Sequence, residues 1–521
     1  MFWADRIVGE ILDKKKPRDG KTFLIRDEKT MSGRVHVGSM RGVAIHGLIA
    51  EVLSEKGAEN EYRYELNDFD PFDSIPGYLD GARFKEHLGK PLYAVPSPEP
   101  GFANYAEYFG AEFVAVHKAA GFTPSYYSAT ELYRSGQMDS LIKTAIERAA
   151  DIRRIMKEVS GAEKDASWLP VSVVCENCGK MMTTRAYEFD GTTVGYTCDG
   201  NPDNIQGCGR AARVSPFGGK VKLYWKVEWA AKWVALGVDI EGAGKDHSTK
   251  GGSRDVANHI AREIYNFELF DIPYEFFLVD GRKMSSSKGR GSSAKDICDL
   301  FPPEVFRLAL IGKDIREQID VDPSGESVPR MYDWYDELAE HAREGANDDY
   351  SRVFKLVHLP SDQGAMTPAW QMRFREVAFV VQMPHLDLVK EAALAKGGGL
   401  SDGEEAKLEE RARYARFWLA TYAPESFKYV LQDMMPEVAL SEVQKKALRE
   451  ILSYMKESER TGEELHARLH ALKEEVPIAP KELFRAVYRI FLARDSGPKA
   501  GWFLAGLPRE LVLARLAEAA N

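Results

Sequence analysis

The sequence predicts an α/β fold: a doubly wound parallel-sheet domain, interrupted by a cysteine-rich insertion and followed by an all-α C-terminal region. Three observations carry this. Short runs rich in β-branched or aromatic residues, TFLIR at 22–26, YRYEL at 62–66 and VDIEG at 238–242, each lead into a polar or glycine-containing turn and then a helical pattern. Four of the five cysteines fall within residues 175–208. Past about residue 335 the strand signals fade, and amphipathic stretches alternate with breaks at Gly364, Gly397 to Gly399 and Pro436. A chain of 521 residues is too long for one core, and domains of roughly 100 to 200 residues suggest about three or four.

Composition narrows the class. With 44% hydrophobic and 29% charged residues the chain is ordinary globular material, without a run of about 18 apolar residues. Residues 1–16 place Ile7, Val8, Ile11 and Leu12 at helical spacing among charges. That pattern predicts an amphipathic docking helix and lacks the apolar core of an export signal, so the expected location is the cytosol, with no membrane partner. A net charge of −10 excludes a generally basic nucleic-acid coat, so any RNA contact uses local basic patches.

In chain order, the strand at 22–26 leads into TMSGRVHVGS at 30–39 and a helix through Val43, Ile45, Leu48, Ile49, Val52 and Leu53. A strand, a glycine-containing turn bearing His36 and a helix start make an anion site, because free N–H groups and the helix dipole meet there. The strand at 62–66 ends in NDFDPFD, three carboxylates that suit an ammonium, a metal or a cap. Capping is favoured for Asp73, whereas substrate and scaffold roles are level for Asp68 and Asp70. A strand at 125–129 and a long helix from Met138 to about Val159 continue the α/β rhythm.

The insertion spans 167–216. Cys175, Cys178, Cys198 and Cys208 suit a tetrahedral structural zinc site without an open position for chemistry; reduced free thiols are the plain alternative. Cys298, on a helical pattern with Ile297 and Leu300, reads as a core residue. After the insertion Trp225, Trp229 and Trp233 recur at i, i+4 and i+8, a spacing more often core than binding site. GAGKDH at 242–247 and GGSRD at 251–255 then make His247 and Asp246 pocket candidates.

The segment 274–279 reads as a buried strand leading into GRKMSSSKGRG at 281–291. Lysines, hydroxyls and glycines in one loop at a sheet's carboxyl edge suit a polyphosphate: ammonium groups offset charge that grows during nucleotidyl transfer, and hydroxyls add donors. Helical patterns flank Pro302-Pro303, and further helices are expected at 441–456, 463–475 and 481–494. Arg449, Lys456, Arg460, Arg468 and Lys473 could meet phosphate there, although solvated helix faces are the commoner explanation.

HVGS at 36–39 and KMSSSKG at 283–289 resemble the HIGH and KMSKS signatures of class I aminoacyl-tRNA synthetases. Together with NDFDPFD, CENCGK, WKVEW and GKDH followed by GGS, they resemble the class I lysyl-tRNA synthetase family across roughly residues 3–322. The resemblance implies a Rossmann-like catalytic domain (1–166 and 217–291), a zinc-binding insertion (167–216), a stem-contact connection (292–345) and an α-helical anticodon-binding domain (346–521). It implies a lysine-tRNA ligase using ATP with Mg²⁺ and a structural Zn²⁺, with lysine tRNA as partner; a monomer is favoured. His36, Ser39, Lys283 and Lys288 would be catalytic, with Gly38 and Ser285 joining them in holding ATP. The lysine-pocket positions fall on Thr30, Trp225, His247 and Tyr274; Met31 stands where the family has proline, and Glu28 where some members have glycine. A carboxylate would pair with the lysine ammonium, and several remain candidates. The alternatives are a class I synthetase for another amino acid, such as glutamate, and a non-catalytic RNA-binding relative.

Overall fold

The computed structural model describes residues 1–200, 205–281, 293–359, 369–383 and 386–521. The chain divides into two compact units, Met1–Val321 with Gly345–Met366, and Asp322–Glu344 with Thr367–Asn521.

The first unit opens with the amphipathic helix Trp3–Lys14, followed by strands β1 (Phe23–Thr30), β2 (Asn60–Asn67) and β3 (Ser125–Ser128). Five short strands belong to the insertion and its stem: β4 (Val171–Val173), β5 (Thr184–Phe189), β6 (Val194–Cys198), β7 (Ala211–Val214) and β8 (Val221–Leu223). The chain then returns with β9 (Ile240–Gly244) and β10 (Phe270–Tyr274). The central sheet has the order β10-β9-β1-β2-β3, all parallel. Its order reverses beside β1, and in such sheets ligands bind beyond the carboxyl ends of the strands at that reversal.

The helix Met40–Glu55 covers one face of the sheet and is almost wholly buried through Val43, Ala44, Ile45, Leu48, Ile49, Val52 and Leu53. It can lie so close because Gly47 has no side chain: a Cβ there would meet the Phe122 ring at 2.4 Å. On the other face, the helix Trp225–Leu236 packs with Ser253–Tyr265.

Three elements differ from expectation. β1 continues to Thr30 because its pairing with β2 runs from Phe23↔Asn60 to Thr30↔Asn67, and the charged residues in this stretch find partners across the sheet. The helix expected over 138–159 is two helices, Asp139–Glu147 and Ala149–Ser160, turning at Arg148 (φ −98°, ψ 21°). The turn lets Ile142, Ala145 and Ile146, and then Ile152, Ile155 and Met156, enter one core. The strand expected over 274–279 is not a strand of the central sheet: β10, which was not expected, occupies Phe270–Tyr274, and the expected segment contributes only β11 (Phe277–Leu278) to a separate pair. β10 ends at Tyr274 as a sheet edge, where Pro273 needs no N–H partner, and β11 pairs with β12 (Ile319–Asp320).

In the insertion, β5, β6 and β7 form an antiparallel sheet, and β4 pairs with β8 as its stem. The described residues of the second unit form helices and no strand. Capping boxes start three of them, Ser401 with Glu404, Ser441 with Gln444 and Thr461 with Glu464, and Leu448, Ile451, Leu469, Ile490, Phe491 and Phe503 fill one core. Among the described residues no helix is long and apolar enough to cross a membrane.

Candidate active site

At the carboxyl end of β1, His36 precedes the 3-10 turn Val37–Ser39 that feeds the helix Met40–Glu55. The Ser39 N–H donates to the His36 carbonyl at 3.0 Å. Gly38 allows a close approach: a Cβ would lie 2.9 Å from His36 Nδ1 and 3.1 Å from the Phe277 carbonyl oxygen. Ser293 bridges back to His36, and the Ala294 N–H donates to the Val35 carbonyl at 2.8 Å. At the other side, the Gly281 N–H donates to Asp320 Oδ1 at 3.1 Å. The described residues bounding 282–292 are therefore tied to His36 and to the β11–β12 pair. Lys283, Ser285 and Lys288 lie outside the described residues.

The sheet face covered by the helix Trp225–Leu236 carries an interlinked charge network. Arg26 donates to Glu241 at 2.6 Å, to Glu65 at 2.8 Å, to Glu28 at 2.5 Å and to the Tyr127 hydroxyl at 2.7 Å. Lys232 Nζ lies 2.5 Å from Glu65, 3.3 Å from Glu228 and 3.4 Å from Glu28. Glu241 also accepts from Arg254 and from the Trp229 indole, each at 2.5 Å. Lys222 meets Glu228 and lies 2.9 Å from Asp70 Oδ1, while the Thr30 hydroxyl donates to Asp70 Oδ2. Most of these groups are sealed. Only Glu28 and Asp70, with 25% and 23% of their side-chain surface exposed, face outward among the five carboxylates Asp70, Glu28, Glu65, Glu228 and Glu241. Burial opposes ionisation of both, but Arg26 and Lys232 hold the Glu28 carboxyl well below the usual carboxylate range, and Lys222 with Thr30 lowers that of Asp70. Burial likewise disfavours charge on Lys222, which Asp70 and Glu228 more than restore.

The tryptophan stripe divides here. Trp229 and Trp233 are buried, whereas Trp225, in the first helical turn, is 42% exposed. The His247 ring stands edge-on to Trp229 at 5.6 Å and to Trp225 at 6.4 Å. The structure thus brings Trp225 to His247 and Thr30 to Asp70. Tyr274 is placed on the other face: its hydroxyl and Asp27 Oδ2 lie 2.7 and 2.8 Å from where a Cβ on Gly42 would be. Asp27 reaches His46 Nδ1 at 3.3 Å, and His46 Nε2 accepts the Gly242 N–H at 2.7 Å. Asp68 accepts from Thr130 N and Ser128 Oγ, holding the start of the helix Ala129–Arg134, and the exposed Asp73 accepts from Ser74.

Sequence reasoning passed over Arg26, Glu65, Lys222, Glu228, Lys232 and Glu241. The available signal was a charged residue inside each of three strand patterns of a buried parallel sheet, where apolar runs are the rule.

The four thiols of Cys175, Cys178, Cys198 and Cys208 all lie within 4.8 Å of one another. The Cys175–Cys208 and Cys178–Cys198 sulfur separations are 3.6 and 3.7 Å. A tetrahedron with metal–sulfur bonds of about 2.3 Å has sulfur–sulfur edges of about 3.8 Å, so these residues fit a four-thiolate metal. The Cys208 N–H points at Cys198 Sγ (3.5 Å), and Gly207 allows the close return, since a Cβ there would lie 2.2 Å from the Cys198 carbonyl oxygen. Cys298 stands apart, half-buried, its thiol pushed up to about 12 by burial.

A parallel sheet whose order reverses beside β1, with the His36 turn beyond that strand and linked carboxylates and tryptophans on one face, fits an enzyme of the class I synthetase type. The family model described as "tRNA synthetases class I (K)" matches residues 1–361, and the chain belongs to that family. It is 33% identical to the lysine–tRNA ligase of Methanosarcina barkeri (strain Fusaro / DSM 804) over 544 residues, covering 100% of this chain and 98% of that protein. It is 34% identical to lysine–tRNA ligase 1 of Methanosarcina acetivorans, covering 100% and 99%. It is also 31% identical to the lysine–tRNA ligase of Archaeoglobus fulgidus, covering 99% of each.

Proposed function

We propose that the protein is a lysine–tRNA ligase that activates lysine with ATP and transfers it to the 3′ end of lysine tRNA. The observation that carries the amino-acid choice is the charge of the pocket. Six linked carboxylates, Asp70, Glu28, Glu65, Glu228, Glu241 and Asp271, face four cations, Arg26, Lys222, Lys232 and Arg254, and the outward-facing Asp70 and Glu28 are both anionic. Such a site attracts an ammonium and repels the side chain of glutamate. Trp225 and His247 offer surfaces for the methylenes; Tyr274, beside Asp27 on the opposite sheet face, has its pocket role from the family resemblance alone.

Activation is an in-line attack of the lysine carboxylate on the α-phosphorus of ATP, with pyrophosphate leaving and no covalent enzyme intermediate. Catalysis is then positioning and charge stabilisation. His36, Gly38 and Ser39 contact phosphate from the helix start. Lys283, Ser285 and Lys288 supply charge and donors from the loop, and Mg²⁺ accompanies ATP. The four cysteines would hold Zn²⁺, and the bound ion would tie the insertion together. The segment that follows the loop contacts the tRNA stem, the helices of the second unit take the anticodon, and the protein works as a cytosolic monomer. Lysine-dependent exchange of pyrophosphate into ATP, measured with each amino acid in turn and with and without tRNA, tests this reading. Exchange with lysine alone supports it; exchange with glutamate, or with no amino acid, refutes it.

A further inference from the structure

Lys222 belongs to the insertion's stem, yet its ammonium lies inside the pocket. It sits on β8, opposite Ser172 of β4, and its side chain is 3% exposed against Asp70 and Glu228. Two residues beyond β4 stands Cys175. The stem is fastened to the thiol cluster on both sides: Val174 N–H donates to the Lys220 carbonyl (3.0 Å), and the Thr184 hydroxyl donates to the Val173 carbonyl (2.7 Å), Thr184 being the β5 partner of Cys198.

The other half of the ion pair is fastened to the same centre by a separate route. The Asp70 carbonyl accepts from Leu92 N–H at 2.9 Å, and Phe72 exchanges hydrogen bonds with Gly89 and Lys90 at 2.8 Å. The Gly89 carbonyl in turn accepts from Met181 and Met182, at 2.7 and 3.2 Å. Met181 directly follows Lys180, whose carbonyl accepts the Cys175 N–H at 2.9 Å. Gly89 has φ +86°, and a Cβ there would press on Ile205 of the insertion at 3.3 Å. Both partners of the Lys222–Asp70 pair are thus carried by segments that end on the cysteine cluster.

We propose that Lys222 is a positioning residue of the lysine pocket, holding Asp70 and through it Thr30, and that the four-cysteine centre fixes both ends of this pair. The inference rests on the reading of the pocket as the lysine site. Lys222 touches no reacting atom; it neutralises one side of Asp70 and leaves the other side turned to Thr30. Folding alone does not require an ammonium there, since a matched neutral pair could fill the same space.

The test uses the full-length protein with Lys222→Met combined with Glu228→Gln, which removes one charge of each sign, and Lys222→Arg alone. In lysine-dependent pyrophosphate exchange the double variant should raise the lysine KM roughly 10- to 100-fold, with the ATP KM within about twofold, and Lys222→Arg should recover part of the loss. A folded double variant with an unchanged lysine KM, or equal rises for lysine and ATP, overturns the proposal. Independently, calorimetric lysine binding and hydrogen exchange are followed on the wild-type protein before and after metal chelation. Weaker lysine binding with faster exchange at 70–73, 89–93 and 220–224 supports the coupling. Exchange rising only within 175–208, with lysine affinity unchanged, refutes it. Failure of the function itself looks different, because the unaltered protein would then activate an amino acid other than lysine.

Discussion

Trp225 shows how one residue's surroundings decide its role. Its spacing with Trp229 and Trp233 reads as a buried face, and the two later indoles are buried, but the helix begins at Trp225 and leaves that ring half in solvent beside His247. Trp225→Ala should therefore raise the lysine KM by roughly 2- to 30-fold, the equivalent of losing a contact of about 0.5 to 2 kcal/mol, with little change in the ATP KM or melting temperature. Trp233→Ala, by contrast, should cost about 3 to 5 kcal/mol of stability. A large melting loss in Trp225→Ala with unchanged lysine KM would remove this residue from the pocket. Lys283→Ala should lower kcat much more than it weakens lysine binding, because its charge meets phosphate as charge develops; steady-state kinetics showing equal losses would contradict that role. The histidine turn and the cysteines were legible because each is a compact local pattern. The Arg26 network was not, because its partners are 39 and 215 residues away and a charge in a strand pattern gains meaning only when the facing strand is known.

At the scale of elements, the helix Tyr105–Ala119 and β3 enclose a histidine without a charge partner. His117 is fully buried against Tyr64 and Phe113, its Nδ1 lies 3.0 Å from the Tyr126 hydroxyl, and its Nε2 has no hydrogen-bond partner among the described residues. Burial lowers its pKa to about 3. Since the folded value lies below the unfolded value of about 6.5, the unfolded chain binds the extra proton between these limits. No stability is lost above about pH 6.5, and the loss grows as pH falls toward 3, amounting to about 2 kcal/mol at pH 5. Urea unfolding at pH 7.5 and 5.0 should show that loss in the wild type and a smaller one in His117→Leu; identical slopes would contradict it. Four of the five strands of the sheet were legible, since apolar runs between turn signals are local, and β10 was not. The break at Arg148 and the division after Tyr274 were missed as well, both decided by what packs against the segment rather than by its own periodicity.

For the whole molecule, the parallel sheet, the cysteine insertion and the helical second unit were legible from rhythm and composition. The assignment of Ser327–Arg343 to the helical unit and of Asp349–Val357 to the first was not, because helices of similar pattern do not announce which core they join. The thiol cluster predicts that chelation, or Cys175→Ser, lowers the melting temperature through loss of metal-linked folding energy; freshly purified protein free of zinc by elemental analysis would refute the assignment. Delivery of lysine to tRNA is the activity proposed for this acidic, tryptophan-bearing site. Its most direct test is charging of total tRNA by the purified protein with ATP and each radiolabelled amino acid. Lysine alone should leave an ester-linked label on tRNA; label arriving from another amino acid, or none from lysine, would overturn the assignment.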